Sequence, residues 1–182
     1  GSENLLLWSS DINIKGANTT HYFEPHQDSA YAGLSPAMNC LTAWVALSDP
    51  VGVVDGCLQF YPQSHKLGKL LHLKSQQNQN NLLSLGQYID TDIIAKLQKP
   101  VWIPLRGGPT LHSFDTVHSS SPNESNKPRV GLALRYITQD VIQTKPNREM
   151  ATLISSTTLD TTITTRHDLE KQSSLGVGVA GN

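Results

Sequence analysis

From Arg129 to Ile137 the residues alternate without a break: Val130, Leu132, Leu134 and Tyr136 fall on one face of an extended chain, and Arg129, Gly131, Ala133 and Arg135 on the other. This is the period of a β-strand, and one of its faces is small and cationic. Leu41 to Leu47 repeats the pattern, with Leu41, Ala43, Val45 and Leu47 opposite Thr42, Trp44 and Ala46. Further short runs at Cys57–Tyr61, Val101–Leu105 and Thr110–Phe114 are separated by Asp49-Pro50-Val51-Gly52, Asp55-Gly56, Pro62 and Arg106-Gly107-Gly108. Many short strands between turn signals imply an all-β sandwich or barrel rather than βαβ units. The first two runs after Cys40, 41–47 and 57–61, are expected to pair as neighbours, and the third strand to run on from Phe114 towards Val117-His118. Asp90 to Gln98 carries capping residues ahead of Ile93, Ile94 and Leu97, which predicts a short helix ended by Pro100. Lys66 to Gln87 is rich in Lys, Gln and Asn without a sustained period and reads as an excursion that serves as a lid. Beyond Asn147 the sequence is rich in Thr and Ser, then in Gly, and carries no motif.

At 182 residues, with 37% hydrophobic and 16% charged residues, the chain has material for one core and is read as a single domain, 1–182. A formal net charge of −1 leaves no basic footprint for nucleic acid or an anionic membrane, so the expected partner is a small molecule. No apolar run is long enough to span a bilayer, and the N-terminus lacks the layout of a signal peptide. Cys40 and Cys57 form neither a disulfide framework nor a zinc pattern, as expected of buried thiols in a reducing, cytoplasmic setting. Gly1-Ser2 resembles the scar of a cleaved tag, and an N-terminal segment is expected to be missing.

The chemistry-bearing residues begin with His26-Gln27-Asp28. On a strand, two side chains spaced H-x-D leave the same face about 7 Å apart at Cα and converge on one ion. Gln27 projects the other way. Two histidines and one carboxylate on one triangular face suit a non-haem iron(II) oxygenase. His118, at the end of a predicted strand, is the candidate third ligand, with His112 as the alternative if the strand bends at Asp115. Arg129, eleven residues after His118, supplies the planar, permanent cation that a remote carboxylate needs, and Gly131 and Ala133 on its face leave room for a ligand. Taken singly these residues have plainer readings. An isolated H-x-D is usually coincidence in a chain with seven histidines, His118 alone is as readily structural, and Arg129 after Pro128 begins a solvated strand.

The blocks HQDSAYAGL, TAWVALSD, DGCLQFYPQSHKLG and TVHSSSPNESNKPRVGLALRYI, in that order, resemble the phytanoyl-CoA dioxygenase superfamily over roughly Tyr22 to Thr138. The resemblance implies a mainly β chain folded as a double-stranded β-helix (jelly roll, cupin-like) with a few short flanking helices. It implies Fe(II), 2-oxoglutarate and O2 as cofactor and cosubstrates. Carried over by position, His26, Asp28 and His118 are the iron ligands and Arg129 binds the far carboxylate of 2-oxoglutarate. Ser120 contacts that carboxylate, and Thr42 and Trp44 line its pocket. Tyr31 and Gln27 are assigned to substrate by their place beside the metal segment. The closest likeness is to bacterial members that act on natural-product intermediates, so an acyl-CoA substrate does not transfer. Pro62-Gln63-Ser64-His65 departs from the usual Pro-Gly-Ser-His in one turn residue. Related halogenases lack the carboxylate, so the retained Asp28 implies hydroxylation over chlorination. Two rivals stay open at this point: a jelly-roll ligand-binding module without catalysis, and a cupin-type metal enzyme that does not use 2-oxoglutarate.

Overall fold

A computed structural model of the chain describes residues 4–48, 51–74, 80–84, 86–106, 108–144 and 151–156. The strands run in the order β1 (Asn4–Lys15), β2 (Phe23–His26), β3 (Leu34–Ser35), β4 (Cys40–Ala46), β5 (Leu58–Phe60), β6 (His72–Lys74), β7 (Gln87–Ile89), β8 (Val101–Ile103), β9 (Pro109–Ser113), β10 (His118–Ser120), β11 (Arg129–Thr138), β12 (Ile142–Gln143) and β13 (Thr152–Ser156). Two single-turn α-helices, α1 (Ser29–Ala32) and α2 (Thr91–Ile94), and two short 3-10 turns, Ala37–Asn39 and Ser64–Leu67, complete the described elements. A five-stranded antiparallel sheet in the order β13-β1-β11-β4-β9 lies against a four-stranded one in the order β2-β10-β5-β8. Trp44 and Ala133 from the first sheet pack on Leu58 from the second, which makes a core between the layers. This is the mainly β, jelly-roll architecture that the resemblance implied.

The alternation in β11 reads out as anticipated, but with the polarity of an ordinary strand reversed. Arg129, Gly131, Ala133 and Arg135 are buried and their aliphatic partners are only half-buried. The register carries the reversal across the sheet, since Ser9 of β1, Arg135 of β11, Thr42 of β4 and His112 of β9 are direct neighbours, as are Lys15 and Arg129. The inner face of the large sheet therefore presents two polar rows, and its outer face leaves Ile12, Ile14 and Leu111 more than half exposed.

Several local expectations change. The runs 41–47 and 57–61 do not pair: β4 and β5 lie in different sheets, because the chain turns at Val53–Gly56 and crosses the core. Gly56 makes this crossing with φ 68, and a Cβ there would stand 2.3 Å from the Ser121 carbonyl oxygen. The strand ending in His118 is likewise broken at Phe114–Asp115, with β9 in one sheet and β10 in the other. The helix begins as predicted, with Asp90 accepting from the Asp92 amide at 2.8 Å, but covers only Thr91–Ile94. The 66–87 excursion is not without regular structure: β6 and β7 pair at its ends, and Leu82 donates to the Tyr22 carbonyl at 2.9 Å. Residues 75–79 and 85 of that excursion, Asp49-Pro50, Gly107 and everything beyond 156 lie outside the described residues. Gln63, the turn departure noted in the sequence, adopts φ 60, a conformation glycine takes without strain.

Candidate metal centre

His26 ends β2 and is the direct cross-strand partner of His118 on β10, so backbone pairing alone sets the two imidazoles side by side, ring centroids 4.2 Å apart. Asp28 does not share their strand, contrary to the H-x-D reading. It is the capping residue just ahead of α1, and the turn from strand to helix swings its carboxylate round to the same point. The ligating atoms of His26, Asp28 and His118 lie within 4.8 Å of one another, and all three residues are buried. The bend at Asp115 that would have favoured His112 is present, yet His118 completes the set.

The protonation states suit a divalent cation. Burial pushes the His26 imidazole down to about 4 and holds that of His118 well below its usual value, so both are neutral at pH 7. Burial works to raise the Asp28 carboxyl, but His112, His118 and Arg135 prevail and hold it well below the usual range. Each ligand histidine is also aimed. Nδ1 of His26 bonds the Glu24 carbonyl at 2.7 Å and Nδ1 of His118 bonds the Thr116 carbonyl at 2.9 Å, which leaves both Nε2 atoms for a metal. Asp28 is gripped twice: Thr42 Oγ1 donates to Oδ2 at 2.6 Å, and the Tyr31 hydroxyl, three residues on in α1, donates to Oδ1. Arg135 Nη2 in turn donates to Tyr31 at 3.3 Å, while its Nη1 is paired with Asp11.

At the other end of the pocket Arg129 is 1% exposed, and its Nε, Nη1 and Nη2 have no hydrogen-bond partner. Its guanidinium lies 4.5 Å from the centre of the Trp44 ring, which itself lies across Gly131, where a Cβ would meet the indole at 1.9 Å. Beside Arg129 the fully buried Lys15 donates to Ser120 Oγ at 2.6 Å and to the Ser120 and Ser121 carbonyls. Burial, and then the Arg129 charge, push Lys15 down to about 7. Among the described residues no carboxylate pairs with either cation. The cavity between the two ends is bordered by His26, Asp28, His118, Trp44, Arg129 and Arg135.

The sequence-derived site residues thus divide. His26, Asp28, His118, Arg129 and Trp44 border one cavity, and Thr42 and Tyr31 do so while holding Asp28. Ser120 does not border it; its hydroxyl accepts from Lys15 and donates to the Gly56 carbonyl. Gln27 does not either. It is fully buried on the far side, where its amide donates to the Gly68 and Asp115 carbonyls and accepts from Leu70, so it braces the loops that carry the ligands. Lys15 was missed because a lone lysine at the end of an unassigned segment carries no signal; its register opposite Arg129 is the clue, and that is visible only in the sheet.

Solved structures of similar shape carry the same type of chemistry in their descriptions. ThoJ, a non-heme monooxygenase in its apo form, is 27% identical with a TM-score of 0.68, over 85% of this chain and 54% of its own. SnoN, an epimerase in complex with Fe3+, alpha ketoglutarate and nogalamycin RO, is 27% identical with a TM-score of 0.60, over 78% and 53%. EvdO2 from Micromonospora carbonacea var. aurantiaca, complexed with 2-oxoglutarate, is 26% identical with a TM-score of 0.54, over 73% and 52%. The chain spans about half the length of these proteins. No curated protein sequence matches it significantly. The sequence model of the phytanoyl-CoA dioxygenase (PhyH) family matches residues 3–131, which include all three clustered residues and Arg129, and the chain belongs to that family.

Proposed function

We propose that this protein is an iron(II)- and 2-oxoglutarate-dependent dioxygenase that hydroxylates an unactivated C–H bond of a small molecule, with release of succinate and carbon dioxide. The observation that carries the reading is the pairing of two unfilled features in one cavity: a neutral-His, ionised-Asp donor set at one end and a buried, partnerless guanidinium at the other. A buried cation without a partner is costly, and a dicarboxylate that chelates a metal through one end and meets Arg129 through the other relieves both. A cupin-type metal enzyme has no use for that arginine, and a binding module has none for the donor set.

In this reading His26, Asp28 and His118 hold iron, and Arg129 with Trp44 holds the far carboxylate of 2-oxoglutarate. When bound, the metal and 2-oxo acid supply dioxygen activation coupled to oxidative decarboxylation. The protein's share is placement. Thr42 and Tyr31 fix the direction of the Asp28 carboxylate, and the Nδ1 bonds of both histidines fix their rings. The aromatic and aliphatic walls keep water from the cavity. The 66–87 excursion, which brings Leu83 to the pocket edge, serves as a lid over the substrate. The neighbours from natural-product biosynthesis favour a substrate of that class, in a soluble cytoplasmic enzyme.

Anaerobic reconstitution with iron(II) and 2-oxoglutarate tests the reading. A weak visible charge-transfer band at roughly 500 nm, expected of a 2-oxo acid chelated on this ligand set, should appear with the wild-type chain, vanish in His118→Ala and weaken in Arg129→Ala. A wild-type chain that binds no iron and shows no band would return the protein to the binding-module reading.

A further inference from the structure

β9 carries a third imidazole into the cavity, one that lies outside the clustered donor set. His112 is 6% exposed and borders the pocket beside Asp28, Thr42 and His118. Its ring packs against Phe60 and His118, with centroids 4.9 Å and 4.6 Å away. Neither ring nitrogen has a hydrogen-bond partner. The nearest acidic atom, Asp28 Oδ2, is 3.6 Å from Nε2 and already accepts from Thr42.

Comparison with His26 and His118, which are buried, and His72, which is half-buried, separates His112 from both ordinary roles. His26 and His118 are each oriented by an Nδ1 bond to a backbone carbonyl, as metal ligands are, and their donors cluster. His72 is a satisfied structural histidine, bonded through Nδ1 to the Leu70 carbonyl and accepting from the Gln27 amide at Nε2. His112 has no orienting bond and no place in the cluster. A phenylalanine would pack equally well against Phe60 without burying two polar atoms, each of which is costly when left unpaired. Once a metal takes one Asp28 oxygen, with Tyr31 and Thr42 on the carboxylate as well, the polar group left for His112 to meet is one that enters with a ligand.

We propose that His112 is a ligand-contacting residue: its imidazole hydrogen-bonds an oxygen of the 2-oxo acid at the metal-chelating end, opposite the carboxylate held by Arg129. The inference rests on the reading of the cavity as a metal and 2-oxo acid site. His112 and Arg129 then grip the two ends of one molecule, and His112 selects ligands that place an oxygen acceptor next to the metal.

The test uses His112→Phe and His112→Gln, with iron(II) or cobalt(II) alone as the first probe and 2-oxoglutarate added anaerobically as the second. Metal affinity without 2-oxo acid should stay within a few-fold of wild type in both variants. Affinity for 2-oxoglutarate should fall roughly tenfold in His112→Phe, the loss of about one charge-assisted hydrogen bond, with a shift in the energy of the visible band. His112→Gln, which keeps a donor, should recover most of both. If metal affinity falls as far as 2-oxoglutarate affinity, His112 serves Asp28 and the proposal is overturned. If 2-oxoglutarate binding is unchanged in His112→Phe, it is overturned as well. Absence of the band in the wild type would instead sink the functional reading itself.

Discussion

β11 carries two buried arginines six residues apart, about 20 Å along the strand, and the fold treats them in opposite ways. Arg135 is bonded through its two terminal nitrogens to Asp11, Ser9 and Tyr31, leaving only Nε unpartnered, and despite burial the neighbouring Tyr31, Asp28 and Asp11 raise its pKa. Arg129 has a tryptophan face and no acceptor, and burial pushes it down to about 10. The same residue type, on the same face of the same strand, thus does two jobs. Arg135 completes a chain of hydrogen bonds that ends on Asp28, whereas Arg129 is a buried charge with no counter-ion among the described residues. What distinguishes a structural cation from a binding one is therefore its neighbours across the sheet, Asp11 in one case and Lys15 in the other.

The comparison breaks most visibly if the two are exchanged for neutral residues. Arg129→Ala should weaken 2-oxoglutarate binding by a hundredfold or more, in line with the roughly 2–5 kcal/mol lost when one partner of a buried charge pair is removed, and should barely lower the stability of the unliganded chain. Arg135→Met should do the reverse, costing about 1–2 kcal/mol in denaturant titration because Asp11 is largely exposed, with little change in 2-oxoglutarate affinity. Equal behaviour of the two variants would end the distinction.

The two ends of the cavity also titrate in different ranges. The folded His26 pKa of about 4 lies below the unfolded 6.5, so the unfolded chain binds more protons between these values and stability is lost as pH falls from 6.5 to 4. The loss from this group is about 3 kcal/mol, and His26→Gln should flatten the urea midpoint over that window. Lys15, at about 7 against 10.5, adds the same sign of slope between pH 7 and 10.5 at the other end. A smaller effect sharpens the role of Trp44. Gly131→Ala must displace the indole from Arg129, with an overpacking cost of about 1–3 kcal/mol and weaker 2-oxoglutarate binding. The smallest lies outside both ends: Gln63→Gly should relieve a left-handed turn and stabilise by up to about 1 kcal/mol, with no effect on either ligand.

Much of the site was legible because its residues are unusual for their places. An arginine, a glycine and an alanine on one face of an otherwise aliphatic strand announced a cavity, and H-x-D with a distant histidine announced a metal. Partners were harder to read. Leu41–Leu47 and Cys57–Tyr61 look alike as strands, and nothing local says that the turn between them crosses from one sheet to the other. Gln27 was mistaken for a substrate contact because a polar residue between two ligands suggests proximity, whereas the turn into α1 points it at Gly68 and Asp115. Tyr31, assigned to substrate by its place beside the metal segment, borders the cavity, but its hydroxyl is aimed at Asp28 by a three-residue helical reach that the sequence alone does not reveal. Lys15, Arg135 and His112 owe their importance to cross-strand neighbours more than 70 residues away or on another strand, which no linear pattern encodes.

The direct pairing of His26 with His118 has a consequence for how such a protein can change. Because main-chain hydrogen bonds between β2 and β10 hold these two ligands in place, the loops that leave those strands are not needed to bring them together. The turn that leaves β2 carries Asp28 and is constrained by it, but the loop that follows β10 can be exchanged, lengthened or recoloured with new side chains while the two imidazoles stay where they are. Variation in that loop is thus mechanically uncoupled from the pairing of the two imidazoles, and the surroundings of the candidate centre can change while its histidine half is kept.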